Sequence, residues 1–167
     1  MQLREEHFLI QETARRFAAD KLAPNAERWD REAHFPRAEL AEMGELRLMG
    51  ILVPEEYGGA GLSYTEQMIY MEEMAEVGAP QEHHRRAVQQ VGPSIILFGN
   101  EEQKQEYLPQ IAKGELSFAM GLSEPDAGSD LASANTRAVK DGDFYTVNGQ
   151  KKWTSGAHYS DLSLIHI

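Results

Sequence analysis

Two short stretches hold the residue types best suited to chemistry. Residues 122–130, LSEPDAGSD, set the hydroxyls of Ser123 and Ser129 on either side of a Pro–Asp–Ala–Gly turn. Pro125 fixes the turn, Gly128 and Ala127 leave the backbone accessible, and free N–H groups beside two hydroxyls make a concavity that suits a phosphate or a polar ring edge. The same residues also make a satisfied surface turn, and turn chemistry alone leaves both readings open. Residues 148–156, NGQKKWTSG, carry Trp153, Thr154 and Ser155. On residue type alone these read as a sheet-core aromatic and strand-end hydroxyls bonded to their own backbone.

Other clusters are blander. His83 and His84 are adjacent, so on a helix they point about 100° apart and do not share a metal without a further ligand; no metal site is expected. Met68, Met71 and Met74 read as core filling. Glu55 and Glu56 fall in a loop beside glycines and Glu72 and Glu73 on a helix surface, so all four read as solvated charges. The chain of 167 residues has no cysteine, which removes disulfides and thiolate chemistry and fits the cytoplasm or an equivalent reducing matrix. With 16 basic against 27 acidic residues and a formal charge of −11, a general nucleic-acid footprint is not expected. The first residues, MQLREEHFLIQETARRF, mix charges with apolar residues at helical spacing, and no apolar run approaches the roughly 18 residues of a membrane span.

The elements that must position these stretches have two textures. Leu3, Ile10, Ala14 and Phe17 form one stripe of a helix that stops before Pro24. A second helix starts at Pro36, carries Leu40, Met43 and Leu46 or Arg47, and ends near Gly50. VPEEYGGAGLS has too many glycines for a regular element and is a loop. Ser63 and Glu66 have capping-box spacing and open a third helix with Tyr64, Met68, Met71 and Ala75 on one face, stopped by Gly78 and Pro80. A fourth runs from about Gln81 to Phe98. Asn100 with Gln103 caps a fifth, in which Pro109 is expected to kink or shorten the helix before Gly114. After Glu115 the period falls towards 2. LSFAMGLS is a short apolar run, NTRAVK and FYTV flank a DGD turn, and the Asn148–Gly149 turn predicts QKKWTS as a returning strand. A small antiparallel sheet begins here, and LSLIHI is read as an unpartnered strand at which the chain is cut within a domain.

The order LVPEEYGGAGLS, GNEEQKQEYLP, GELSFAMGLSEPDAGSD, GDFYTVNGQKKWTSGAHYSD closely resembles the amino-terminal half of the flavin-dependent acyl-CoA dehydrogenase family, over residues 1 to 161. The most specific pieces are SEPDAGSD and NGQKKWTSG in register. The resemblance implies an α+β chain: an all-α amino-terminal domain, residues 1–115, then the first strands of an antiparallel β-barrel-like domain, residues 116–167, incomplete. It implies FAD as cofactor. The segment Met120, Gly121, Leu122, Ser123, Gly128 and Ser129 would lie along the flavin, with Ser123 at the isoalloxazine edge and Ser129 reaching the pyrophosphate and the acyl-CoA side. The indole of Trp153 would pack by the flavin, and a hydroxyl from Thr154 or Ser155 would approach N5, where a donor stabilises charge developing on reduction.

The implied reaction is oxidation of an acyl-CoA thioester to the 2,3-enoyl-CoA by α-proton abstraction and β-hydride transfer to flavin N5. An electron-transferring flavoprotein is the implied acceptor and a homo-oligomer the implied state of the full-length protein. The family's catalytic base is a glutamate in the carboxy-terminal domain, so it is expected downstream of Ile167, no residue here takes that role, and the chain alone is expected to be inactive. Asp126 stands where many relatives carry Gly or another small residue, adding a charge that solvent would screen. Ser123 stands where Thr is common and keeps the hydroxyl. An acyl-CoA oxidase or related flavin monooxygenase of the same fold, or a non-catalytic helical interaction fragment, are the alternatives.

Overall fold

Two helix starts in this chain, at Ser63 and Asn100, are written into three-residue side-chain-to-backbone circuits. The computed structural model describes residues 3–78 and 85–167, in two units, Met1–Ser117 and Phe118–Ile167. The first is helical and the second carries strands whose sheets do not close, an α+β arrangement as expected.

In the helical unit, α1 spans Glu5–Phe17 and runs on as π-helical Ala18–Leu22. A helix not predicted follows: α2, Ala26–Glu32, ends at left-handed Ala33. Its only large buried side chain is Trp29, and one anchor over seven residues leaves no periodic stripe to read. Pro36 precedes α3, Arg37–Glu45, which stops earlier than Gly50; Leu40 and Met43 are buried while Leu46 is exposed. The glycine loop folds with a single 3-10 turn at Glu55–Tyr57. α4 is Tyr64–Glu76, capped as predicted: Thr65 N–H donates to Ser63 Oγ and Ser63 N–H to Glu66 Oε2. The predicted start of the next helix, Pro80 and the pair His83 and His84 lie outside the described residues. From Arg86 the chain is π-helical to Val91 and continues as α5, Gly92–Phe98. α6 is Glu101–Ala112, capped reciprocally by Asn100 and Gln103 at 2.8 and 3.0 Å. It runs three residues past Pro109, since Leu108, Ile111 and Ala112 are buried and their packing holds the turn whose hydrogen bond proline removes.

The face of α4 is the reverse of the predicted one. Tyr64, Met68 and Ala75 are exposed, whereas Glu66, Gln67, Ile69, Tyr70, Glu73 and Met74 are buried. The reason lies on α1, which packs on α4 and supplies the cationic and polar partners. Arg15 grips Glu73 with two 2.8 Å bonds, Gln11 adds a third, and His7 meets Glu66 at 2.8 Å. Both carboxyls sit below their ordinary range. Glu66 is held at about 2, first by the Ser63 hydroxyl, and Glu73 is lowered first by the Arg15 hydrogen bond. Glu73 is therefore a buried, paired charge and not a solvated one; Glu55 and Glu56 are exposed as expected.

Elsewhere in the unit two backbones touch. A Cβ added at Gly44 on α3 would lie 2.1 Å from the Lys113 carbonyl oxygen, and one at Gly114 would lie 2.3 Å from the Leu40 carbonyl oxygen. Gly114 also takes a left-handed φ of 69°, which ends α6 at low cost.

In the second unit, β1 is Phe118–Gly121, β2 Arg137–Asp141, β3 Phe144–Asn148 and β4 Leu162–Ile165. β2 and β3 pair antiparallel across the predicted DGD turn. The segment QKKWTS is not a returning strand, and LSLIHI is not unpartnered: β4 pairs parallel to β1, Phe118 opposite Leu162 through Gly121 opposite Ile165. The hairpin signal at Asn148–Gly149 fails because Gly149 is pressed onto Thr136, where an added Cβ would meet the side chain and backbone at 2.7 Å or less.

Candidate functional site

β1 delivers the chain into the Leu122–Asp130 turn. Glu124 N–H donates to the Ala127 carbonyl at 2.8 Å and Ala127 N–H returns to the Glu124 carbonyl at 3.3 Å, leaving Pro125 and Asp126 at an exposed tip. Ala127 is 1% exposed, so it plugs the turn from inside and does not open the backbone as expected. Access is at Gly128 and Ser129, both exposed. A Cβ at Gly128 meets nothing within 4 Å and its φ is not left-handed, so the fold of the turn does not itself require glycine there.

The turn is organised around Glu124, whose role the sequence reading missed. Its side chain is buried and accepts from Asn135 N–H at 2.6 Å, Thr136 N–H at 2.8 Å, the Thr136 hydroxyl, and Lys151 Nζ at 2.9 Å. These donors, the Thr136 hydroxyl first and then Asn135 N–H and Lys151, hold the carboxyl at about 2. The signal was in plain view, an acidic residue in the second position of SEPDAGSD, but charges in turns are ordinarily solvated.

The second stretch comes to the first through the same residues. Lys151 Nζ also donates to the Leu122 carbonyl at 2.9 Å, and Lys152 N–H donates to the Ser123 carbonyl at 2.8 Å. Past this junction Ser155 N–H closes a three-residue turn onto the Trp153 carbonyl at 2.9 Å. Trp153 has a left-handed φ of 59° and is 78% exposed, with Lys152 Nζ 5.0 Å from the ring centroid. Of the predicted site residues, Gly121 is buried in β1, Met120, Ser123 and Thr154 are half-buried, and Leu122, Gly128, Ser129, Trp153 and Ser155 are exposed. Leu122 and Ser123 are joined to the Lys151–Lys152 stretch; no described hydrogen bond links Ser129 to Trp153–Ser155. The hydroxyls of Ser123, Ser129, Thr154 and Ser155 have no partner among the described residues. An aromatic face turned outward beside free hydroxyls fits a flat ring with a polar edge carrying a phosphate.

The family description "Acyl-CoA dehydrogenase, N-terminal domain" matches residues 4–115, and "Acyl-CoA dehydrogenase, middle domain" matches residues 119–167. The chain is 38% identical over 165 residues to the probable acyl-CoA dehydrogenase YngJ of Bacillus subtilis, covering 98% of this chain and 43% of that protein. It superposes on an acyl-CoA dehydrogenase from Geobacillus kaustophilus with a TM-score of 0.90 at 40% identity, covering 98% of this chain and 43% of that one. An acyl-CoA dehydrogenase from Bacillus anthracis complexed with FAD gives 0.88 at 35% identity, covering 98% and 29%. The chain thus spans less than half the length of these relatives.

Proposed function

Because the chain belongs to the acyl-CoA dehydrogenase family, we propose that it provides the flavin-facing part of an FAD-dependent enzyme that oxidises an acyl-CoA thioester to the 2,3-enoyl-CoA. The observation that carries this reading is the junction of the two motifs, Lys151 and Lys152 bonded to the carbonyls of Leu122 and Ser123. It brings the hydroxyl-bearing turn and the Trp153–Ser155 stretch within one unit.

FAD, when bound, supplies the acceptor for the β-hydride. The residues here bind and orient it. Trp153 offers an exposed face against the ring, Ser155 or Thr154 offers a hydroxyl to the N5 side, and Ser123 and Leu122 meet the ring edge. Ser129 and the Gly128 backbone serve the pyrophosphate, with Ser129 also towards the acyl-CoA. A hydroxyl placed at the site of developing charge lowers the barrier because it is oriented in advance. We assign the base that removes the α-proton to none of the described residues. An electron-transferring flavoprotein as acceptor, a homo-oligomeric full-length protein and a cytoplasmic or matrix setting belong to the same reading; among the described residues no helix is long and apolar enough to cross a membrane.

Titration of the chain with FAD, followed by the flavin absorbance bands, tests the reading. Ser155→Ala removes one hydrogen bond, about 0.5–1.5 kcal/mol, and so weakens binding roughly two- to tenfold. A chain that leaves the FAD spectrum unperturbed at any concentration, or Ser155→Ala and Trp153→Ala both binding as the parent does, refutes it.

A further inference from the structure

We infer that Lys151 is a positioning residue, a latch that seats Trp153–Ser155 against the Leu122–Ser129 turn so that one flavin meets both; this rests on the flavin reading above. Lys151 meets the residues that would face the ring only through the main-chain carbonyl of Leu122. It acts through two acceptors, the Leu122 carbonyl and Glu124 Oε1, each 2.9 Å from Nζ, with a side chain only 12% exposed. Glu124 is a fixed anchor whether or not Lys151 is present, because Asn135 and Thr136 hold both of its oxygens. Gly121 clears the path, since a Cβ there would lie 3.2 Å from Lys151 Cγ.

The chain from Lys151 to Trp153 is short. Two residues reach at most about 7 Å, so fixing Lys151 limits where the indole can stand. The other tie is the Lys152 N–H bond to the Ser123 carbonyl. A single neutral bond on an exposed stretch frays readily, whereas hydrogen bonds from an ammonium are roughly twice as strong. Without the latch, Trp153 and Ser155 sample positions away from the turn, and a ligand must select the seated fraction, losing affinity by that factor.

The test is a double-mutant cycle on FAD affinity with Lys151→Met, Trp153→Ala and the double variant, together with amide exchange in the flavin-free chain. The expected results are a penalty of about tenfold for Lys151→Met in the parent, shrinking to below about threefold when Trp153 is already Ala, because the latch no longer has its cargo. Lys152 N–H should exchange at least about tenfold faster in Lys151→Met, while the Arg137–Asn148 ladder keeps its protection. Lys151→Arg, which keeps the charge, should restore most of the affinity. Should Lys151→Met lose the ladder's protection as well, Lys151→Gln, which keeps a polar side chain but loses the charge and the reach of the ammonium to both acceptors, takes its place in the same cycle. Additive penalties or an unchanged Lys152 exchange rate overturn the latch alone. A parent chain that binds no FAD overturns the flavin reading and the latch with it.

Discussion

Trp153 sits where few residues of its kind do, with a left-handed φ of 59° and 78% of its surface exposed. The left-handed region costs a non-glycine residue about 1–2 kcal/mol, and asparagine, whose short side chain bonds locally, tolerates it far better than alanine or tryptophan. The informative perturbation is therefore a pair, Trp153→Asn and Trp153→Ala. Both remove the same exposed ring and the same Lys152 contact at 5.0 Å, so these losses cancel between them and the backbone conformation remains. Asn should be the more stable of the two by about 0.5–1 kcal/mol, several degrees in the melting temperature of so small a unit. For FAD the two should be alike, each weaker than the parent by roughly two- to tenfold, the worth of an aromatic stacking contact of about 0.5–1.5 kcal/mol. Urea denaturation followed by circular dichroism measures the first quantity and absorbance titration the second. If Ala equals or exceeds Asn in stability, Trp153 is not held left-handed. If Asn binds FAD as tightly as the parent, the ring is not the flavin's wall.

Glu66 is depressed from 4.5 to about 2 in the folded chain. A carboxyl lowered by folding stabilises in full above its unfolded value, so the urea midpoint of the helical unit should hold down to about pH 5 and fall from there towards pH 2, with Glu73 acting in the same direction; Glu66→Gln should flatten part of that fall, and an unchanged profile would exclude Glu66 as a source. Leu108 is fully buried on α6, so Leu108→Ala should cost about 2–5 kcal/mol in equilibrium unfolding, and a loss below about 1 kcal/mol would mean that the site is not closely packed.

Much of the helical unit was legible because its signals are local. Ser63 and Asn100 cap their helices through bonds that reach three residues, and such circuits can be read from spacing alone. The face of α4 was not legible. Its burial of Glu66 and Glu73 depends on His7, Arg15 and Gln11, about sixty residues earlier, and a hydrophobic period does not register a distant cation. In the strand unit the DGD hairpin followed its turn residues, whereas Asn148–Gly149 obeyed a tertiary demand, the fit of Gly149 over Thr136, and the stretch beyond it joined the Ser123 turn instead of β3. The two motifs were visible as motifs. That Lys151 and Glu124 join them was not, since neither residue type nor spacing marks which lysine and which glutamate will be buried together.

The contact of Gly44 with Lys113 and of Gly114 with Leu40 has a bearing on how this chain can vary. In both cases the opposing atom is a carbonyl oxygen of the main chain. Most tight spots in a protein can be relieved from the other side, because a bulkier residue here is tolerated once a neighbour there becomes smaller. Here the neighbour has no smaller form. Every amino acid at 113 or 40 presents the same oxygen, so no second substitution among side chains makes room for a methyl group at 44 or 114. Mutational libraries should find these two positions closed in every background, and a variant that opens one of them would have to do so by moving a helix.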